Sequence, residues 1–242
     1  MAAIGTARAS VVSRMSSSGL GSSWVVVRLD PGKDSVPSKA AVKVLREISH
    51  RHGFETSIAV AGTTLILPPP GPIDGYAPTL RVLGRNVLKV LDKRLDSRYW
   101  LGIGGIRDRE ETLSSSSGEA SQAVAVAKRI WRAPRAVLYG DMLPYVALAA
   151  DRSMCTRIAR LLAPLERYDR LRRTRLLHTL DRVNDENWST AATARAMSIH
   201  RHTVEYRVKK VEELLSLSSS DPCDRAAIEF AIVARRLLAP PK

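Results

Sequence analysis

The chain has only two cysteines in 242 residues, Cys155 and Cys223, and they do not form a C-x-x-C pair. This scarcity disfavours a disulfide framework and a zinc site, so we predict no metal ligands. Both thiols are expected to be buried or incidental in a reducing cytosol. The sequence also lacks an apolar run of the roughly 18 residues that a membrane-spanning helix needs, so no segment is expected to span a membrane. No membrane partner is predicted.

Acidic residues are few relative to basic ones: 38 Lys and Arg face 24 Asp and Glu, a formal net charge of +14. The excess is uneven, because residues 157–210 hold 13 basic and 6 acidic side chains, a net of 13 − 6 = +7. Such a surplus favours a polyanionic partner, with nucleic acid ahead of an anionic membrane surface. A solvated basic surface is the alternative that charge alone leaves open.

The first 29 residues contain no acid and are rich in Ser and Ala. This composition resembles a transit peptide. We prefer two other interpretations, a disordered N-terminal stub over residues 1–22 or a start codon inside a longer gene.

Residues 23–141 alternate between strand and helix patterns. The predicted strands are 24–29, 56–60, 63–67, 99–103 and 136–139, and the predicted helices are 39–52, 77–95 and 119–131. The order β-α-β-β-α-β-α-β predicts a small α/β sandwich with a mixed sheet and helices on one or both faces.

Strand patterns stop after residue 141. Helices are predicted at 142–149, 153–162, 171–183, 190–197, 200–215 and 224–238. The fold class is therefore an α/β sandwich followed by an all-α domain. We divide the chain into the sandwich at 23–141, connecting helices at 142–169 and a C-terminal helical domain at 170–242.

Two of these helices lie close enough to form a helix-turn-helix. Ser189 can cap the first, residues 190–197, with Trp188 before it as a hydrophobic staple. Ser198 and Ile199 form a short turn, and either Ser198 or His200 can begin the second helix.

The second helix has an apolar side and a polar side. Its apolar side consists of Val204, Val208, Val211 and Leu215. The opposite side carries His202, Glu205, Tyr206 and Lys209, with Arg201 at the leading edge. This is how a recognition helix presents polar groups to the major groove.

Specific roles follow for these side chains. Arg201 can donate two hydrogen bonds to guanine, and His202 can bond a base edge. The remaining candidates, Thr203, Arg207 and Lys210 beside the polar face and Thr190 and Thr193 on the preceding helix, are expected near phosphates.

Three of these positions have open alternatives. Glu205 would repel phosphate, although its carboxylate could accept from cytosine N4. His200 is either a helix cap or a base contact. Tyr206 either packs against a neighbouring helix or touches a sugar.

Several short motifs lie at spacings found together in one family: His200-Arg-His-Thr-Val204, Tyr206-Arg207 and Val211-Glu-Glu-Leu214. With them, residues 171–238 resemble the C-terminal helix-turn-helix domain of PucR/CdaR-type regulators of purine and sugar-diacid catabolism. The resemblance implies a transcription regulator that binds a double-stranded DNA operator, as a homodimer or higher homo-oligomer on paired half-sites, with a small-molecule effector as a further partner. Two departures are Glu205, where the family often has a basic residue, and the serine-rich stretch after Leu215, where it usually has glycine.

Residues 24–141 resemble, more weakly, the degenerate GGDEF-like domain that precedes this helix-turn-helix in the family. The similar pieces are Leu101-Gly-Ile-Gly104, the helix around Glu119 and Val137-Leu-Tyr-Gly-Asp141. Active GGDEF domains hold two metal ions with acids near a central hairpin. Here the hairpin at residues 61–64 has no carboxylate, and Asp30 alone does not make a two-metal site.

We therefore predict no enzyme activity, no catalytic residue and no cofactor. A P-loop, a G-x-S-x-G motif and an H-E-x-x-H motif are also missing. The stretch Gly102-Ile-Gly-Gly105 lacks the third glycine of a dinucleotide fingerprint and indicates a strand end. The alternative function is a non-catalytic module that binds a ligand or a protein and whose helix-turn-helix has degenerated.

Overall fold

A computed structural model describes residues 24–31, 37–54, 58–60, 64–67, 76–95, 98–107 and 113–240. The N-terminal stub and the hairpin turn that the sequence predicts lie outside these residues, apart from Thr64. The chain divides into two compact units, the first made of residues 1–128 and 133–146 and the second of 129–132 and 147–242.

In the residues that the structure describes, the first unit is a mixed five-stranded sheet with three helices. The elements are β1 (Val25–Asp30), α1 (Lys39–Arg51), β2 (Ile58–Val60), β3 (Thr64–Leu67), α2 (Tyr76–Leu95), β4 (Trp100–Ile103), α3 (Leu113–Ile130) and β5 (Ala136–Leu138). The strand order is β2-β3-β1-β4-β5. β1 pairs antiparallel with β3 and β4, and β5 pairs parallel with β4. The predicted order of elements and the mixed sheet are confirmed.

Alternate residues of β1 face different helices. Val25, Val27 and Leu29 are buried in one core with the apolar sides of α1 and α2. On the other side, the backbone N–H of Val26 donates to Ser116 Oγ on α3 at 3.2 Å. The sheet therefore carries helices on both faces, which selects one of the two arrangements that the sequence left open.

Helix α3 begins six residues before its predicted start at Glu119. Residues 114–117 are serines, and the sequence predicts a loop or a cap there, because serine often competes with the helix for backbone hydrogen bonds. Ser116 is instead fully buried, and its hydroxyl donates to Gly105 O at 2.8 Å. Tertiary packing overrides local preference here.

Two glycines of β4 and its end allow α3 to pack backbone against backbone. A Cβ at Gly102 would lie 2.3 Å from Ala120 O, and one at Gly104 would lie 2.1 Å from Ser116 O. β4 ends at Ile103, so the strand-end interpretation is confirmed. These glycines provide close helix–sheet packing.

The second unit is helical. Helix α4 (Tyr139–Ala150) carries the chain into it, followed by α5 (Arg152–Ala159), a 3₁₀ turn (Arg160–Leu162), α6 (Ala163–Arg172), α7 (Leu176–Asp185), α8 (Thr190–Met197), α9 (Arg201–Leu215) and α10 (Pro222–Leu238). Leu162 and Leu165 share one core with Leu180, Val211 and Ile232. The core of this unit therefore begins well before residue 170.

The predicted single helix over residues 171–183 is wrong. The chain breaks at Arg173, which ends α6 in the left-handed region with φ 53°. The Asp169 carboxylate then caps α7 by accepting from the backbone N–H groups of Leu176 (2.8 Å) and Leu177 (3.0 Å). Apolar spacing cannot show this break, because arginine and leucine are both good helix formers.

Candidate nucleic-acid interface

Helices α8 and α9 are joined by a short turn, and capping residues mark the ends of both helices. Ser189 Oγ accepts from Ala192 N at 3.2 Å and begins α8. Ser198, with φ 53°, ends it. His200 Nδ1 accepts from His202 N at 3.3 Å and begins α9. The Ser189 cap is confirmed, and the side chain of His200 acts as a cap, which requires a lone pair on Nδ1.

A small core holds the two helices together. Val183, Ala194 and Val204 are its buried members, and Ile199 and Val208 pack against it. Val204 is 0% exposed, as expected for the apolar side of a recognition helix. Ala194 lets α8 lie close to α9, since a larger side chain would separate them.

Trp188 anchors the loop before α8. Its Nε1 donates to Glu229 on α10 at 2.7 Å. The guanidinium of Arg225 lies 5.0 Å from the centre of its ring, within cation–π range. The loop is thus tied to α10, which fixes where α8 starts.

The opposite side of α9 is solvent-facing. Arg201, His202, Tyr206 and Lys209 are all exposed. Tyr206 is 68% exposed, so its packing against a neighbouring helix, one of the two alternatives, is wrong. These four side chains form one polar face that a partner can reach, which we call the α9 face.

Glu205 lies on the same side and binds two of its neighbours. Its carboxylate accepts from Arg201 Nε at 2.7 Å and from His202 Nδ1 at 3.0 Å. A carboxylate can only accept, so Nδ1 of His202 carries the hydrogen. The bonds from His202 and then from Arg201 lower the pKa of Glu205 below its ordinary value, so the carboxylate is ionised at neutral pH.

Two basic residues lie beside the α9 face and contact α7 and α6. Arg207 Nη1 donates to Thr179 Oγ1 at 3.1 Å. Lys210 Nζ donates to Glu213 at 2.8 Å and lies 5.8 Å from the ring centre of Tyr168. The hydrogen bond to Glu213 raises the pKa of Lys210. Thr190, at the start of α8, and Thr203, in the first turn of α9, are both half-buried.

Thr193 does not face a partner, contrary to the prediction from the sequence. The sequence placed it among residues facing phosphate, but it is 0% exposed. Its hydroxyl donates to Ser189 O, one helical turn back, at 2.8 Å. Because the hydroxyl bonds to its own helix, burying Thr193 leaves no polar group unpaired. The buried side chain cannot reach DNA.

Buried ion pairs hold α7 against α10. Asp181, 7% exposed, pairs with both Arg235 and Arg236. Arg236 Nη1 also lies 2.8 Å from Asp185. The sequence does not reveal this network, because charged residues on helices are usually solvated and no spacing distinguishes these.

The two cysteines are unremarkable in their surroundings. Cys155 is buried, and its thiol donates to Leu148 O at 3.1 Å. Burial raises the pKa of this thiol, which makes it a poor nucleophile. Cys223 is exposed.

Asp30, the sole acid at the expected first-strand metal position, binds a cation of the protein. Lys128 Nζ lies 2.5 Å from Asp30 Oδ1. In the described part of the chain, no three His, Cys, Asp or Glu side chains lie together as a metal site requires. Within the same residues, no helix combines the length and apolarity needed to cross a bilayer.

Comparison with known proteins agrees with this geometry at the C-terminal end. Residues 176–234 match the model of the PucR C-terminal helix-turn-helix domain, which covers α7, α8, α9 and most of α10. The purine catabolism regulatory protein of Bacillus subtilis is 38% identical over 63 residues, 26% of this chain and 12% of that protein.

Longer matches exist at lower identity. An uncharacterized protein of Mycobacterium tuberculosis strain H37Rv is 27% identical over 207 residues, which cover 83% of this chain and 45% of the relative. The chain thus spans less than half the length of this relative. The crystal structure of a regulator of polyketide synthase expression from Bifidobacterium adolescentis aligns over 93% of this chain and 85% of that one, at 20% identity and a TM-score of 0.36. A score of that size does not establish a common fold. What the comparisons establish is a C-terminal helix-turn-helix of the PucR type.

Proposed function

We propose that the protein is a sequence-specific DNA-binding transcription regulator of the PucR/CdaR type. The observation that carries this proposal is the α9 face. A helix packed by Val204 and Val211 on one side exposes Arg201, His202 and Lys209 on the other, directly after a short turn from α8. This is the arrangement in which a recognition helix enters the major groove.

Each exposed side chain has a role in the proposal. Arg201 and His202, at the start of α9, read base edges. Phosphate oxygens are bound by the side chains beside these, namely Thr203, Arg207, Lys209 and Lys210. Tyr206 contacts sugar or backbone, and Thr190 approaches the backbone from α8. His200 is the cap that begins the helix.

The rest of the chain has a supporting role. We propose a degenerate GGDEF-like domain at residues 23–141, connecting helices at 142–169 and the DNA-binding domain at 170–242. The Asp30–Lys128 ion pair supports a non-catalytic sandwich. The protein acts in the cytoplasm as a homodimer or higher oligomer on paired half-sites. Its targets are catabolic genes, by analogy with the Bacillus subtilis regulator, and a small molecule is its effector.

The test is fluorescence anisotropy of the purified chain with DNA from its own upstream region and with a scrambled duplex, over a series of salt concentrations. Tight binding that prefers the upstream DNA at physiological salt is expected. Weak, equal binding to both duplexes that salt abolishes would contradict sequence-specific recognition, because counterion release alone produces that behaviour.

Two variants separate base reading from phosphate contact. Replacing Arg201 and His202 together by Ala should cost about 1–3 kcal/mol per base contact and reduce the preference for the upstream duplex. Lys209→Ala, on the same helix, should weaken both duplexes alike and reduce the salt slope by about 1. A double variant as tight and selective as the wild type would exclude α9 as the recognition helix.

A further inference from the structure

An arginine cluster surrounds the junction between α6 and α7. Residues 167–175 contain five arginines, Arg167, Arg170, Arg172, Arg173 and Arg175, and all five are exposed. We call them the junction arginines. The one acid in this stretch is Asp169, so the stretch carries a net charge of 5 − 1 = +4 in nine residues.

The charge of the junction arginines is not neutralised locally. The carboxylate of Asp169 is committed to capping α7 through Leu176, Leu177 and Thr174. Across the described residues, no acidic side chain lies within ion-pair distance of any junction arginine. Arginines elsewhere on the surface do pair, as Arg81 does with Asp141. A basic surface without counter-ions of its own favours an external polyanion.

The cluster lies next to the recognition helix within the second unit. Tyr168 of α6 contacts Lys210 of α9, with 5.8 Å between the ammonium and the ring centre. Arg172 follows Tyr168 by one helical turn and so lies on the same side of α6. Leu165 of α6 and Val211 of α9 are buried in one core, which holds the two helices together. The flank of α9 that carries Lys210 therefore continues into the junction arginines.

We propose that the junction arginines form a second DNA contact surface, which binds backbone phosphates beside the base pairs that α9 reads. This inference rests on the proposed function. Guanidinium groups bind phosphate through paired hydrogen bonds and keep their charge at any physiological pH. Five of them around one helix junction can follow a phosphate backbone without reading sequence. The surface adds affinity and site length, and α9 supplies the selectivity.

The experiment is a salt titration of DNA binding by the full chain in which Arg170, Arg172 and Arg175 are all replaced by Gln. Arg173 is kept, because its left-handed backbone ends α6. Each lost phosphate contact lowers the slope of log affinity against log salt by about 0.9, so a loss of up to about 2.7 is expected. The upstream and scrambled duplexes should weaken by the same factor, and the difference from wild type should shrink on duplexes trimmed to the selected base pairs.

Two further variants make the result specific. Replacing the same three arginines by Lys preserves the charge and should keep a slope close to that of the wild type. A matched control replaces Arg152, Arg157 and Arg160 by Gln, which removes three exposed charges from α5 and the turn after it. The control should leave the slope nearly unchanged. Thermal melting of each variant verifies that it is folded.

The outcomes distinguish this proposal from the one on which it rests. Selective binding by the wild type with an unchanged slope in the Gln variant overturns the second surface alone. An equal loss of slope in the control also overturns it, since net charge would then be the cause. A wild type that binds no duplex selectively overturns both proposals. Vesicles of phosphatidylserine and phosphatidylcholine provide the last arm: loss of vesicle binding in the Gln variant, with DNA binding intact, would assign the arginines to a membrane surface and overturn the proposal.

Discussion

The Nε of Arg201 donates to the carboxylate of Glu205 at 2.7 Å, one helical turn away on the exposed side of α9. Arg201 makes this bond through Nε, which leaves its two Nη groups for a partner outside the chain. Those are the groups that a bidentate contact with guanine N7 and O6 uses. Glu205 also holds His202, so one carboxylate orients both of the proposed base-reading side chains. We infer that Glu205 positions them.

Replacing Glu205 by Ala should reduce base selectivity while raising affinity for all DNA. Selectivity falls because Arg201 and His202 lose the group that orients them, and affinity rises because an acid leaves a surface that faces phosphates. Because an exposed ion pair contributes at most about 1 kcal/mol, we expect selectivity to fall by about two- to fivefold. The measurement is a competition between the selected duplex and variants changed one base pair at a time.

Glu213→Ala is the matched control for that prediction. Glu213 lies on the same helix and pairs with Lys210 at 2.8 Å, but it touches neither Arg201 nor His202 in the structure. Its replacement should raise affinity for every duplex and leave the selectivity ratio unchanged. If Glu205→Ala behaves in the same way, the carboxylate contributes only charge; if it sharpens selectivity, Glu205 competes with DNA for Arg201.

Ser216→Gly should stabilise the second unit. Ser216 ends α9 in the left-handed region, with φ 54°. A side chain is disfavoured in that region, whereas glycine adopts it freely. A gain of about 0.5–1 kcal/mol in the free energy of unfolding is expected, measured by urea denaturation. A loss of stability would mean that the serine side chain makes a compensating contact.

Asp181→Ala should strongly destabilise the second unit. The carboxylate is buried and pairs with Arg235 and Arg236, and the side chain of Arg236 is only 10% exposed. Removing this carboxylate leaves Arg236 with Asp185 as the remaining buried counter-charge, so the cost should lie below the roughly 3–5 kcal/mol of a fully unpaired buried charge. Chemical denaturation followed by circular dichroism measures this. Asp224→Ala, at the half-buried start of α10, is the comparison and should cost less.

The elements of the recognition region follow closely from the sequence. The predicted helix over residues 190–197 has the observed bounds, and α9 begins one residue after its predicted start. Both results depend on local signals, namely a serine cap and a regular apolar spacing, which are determined within one or two turns. The buried apolar side of α1 was equally predictable, since Ala41, Val44 and Ile48 recur at helical spacing.

Features set by side-chain contacts between helices were not predictable. The break at Arg173 depends on a carboxylate cap from Asp169, and the burial of Thr193 depends on how α8 packs. The ion pairs of Asp181 join positions more than 50 residues apart. A single sequence contains no local trace of such pairings. The Glu205 carboxylate lay within the predicted site, but its bonds to Arg201 and His202 give it a different role from a base contact.

Gly104→Ala would place a Cβ 2.1 Å from Ser116 O, where neither backbone can yield without separating α3 from the sheet. Overpacking of this kind costs about 1–3 kcal/mol and sometimes more, so the variant should melt earlier than wild type. Gly118→Ala is the control, because a Cβ there meets no atom within 4 Å and a helical Gly→Ala change is favourable. Equal melting temperatures of the two variants would show that α3 can move away from β4 at little cost. The prediction that its close packing requires Gly104 would then be wrong.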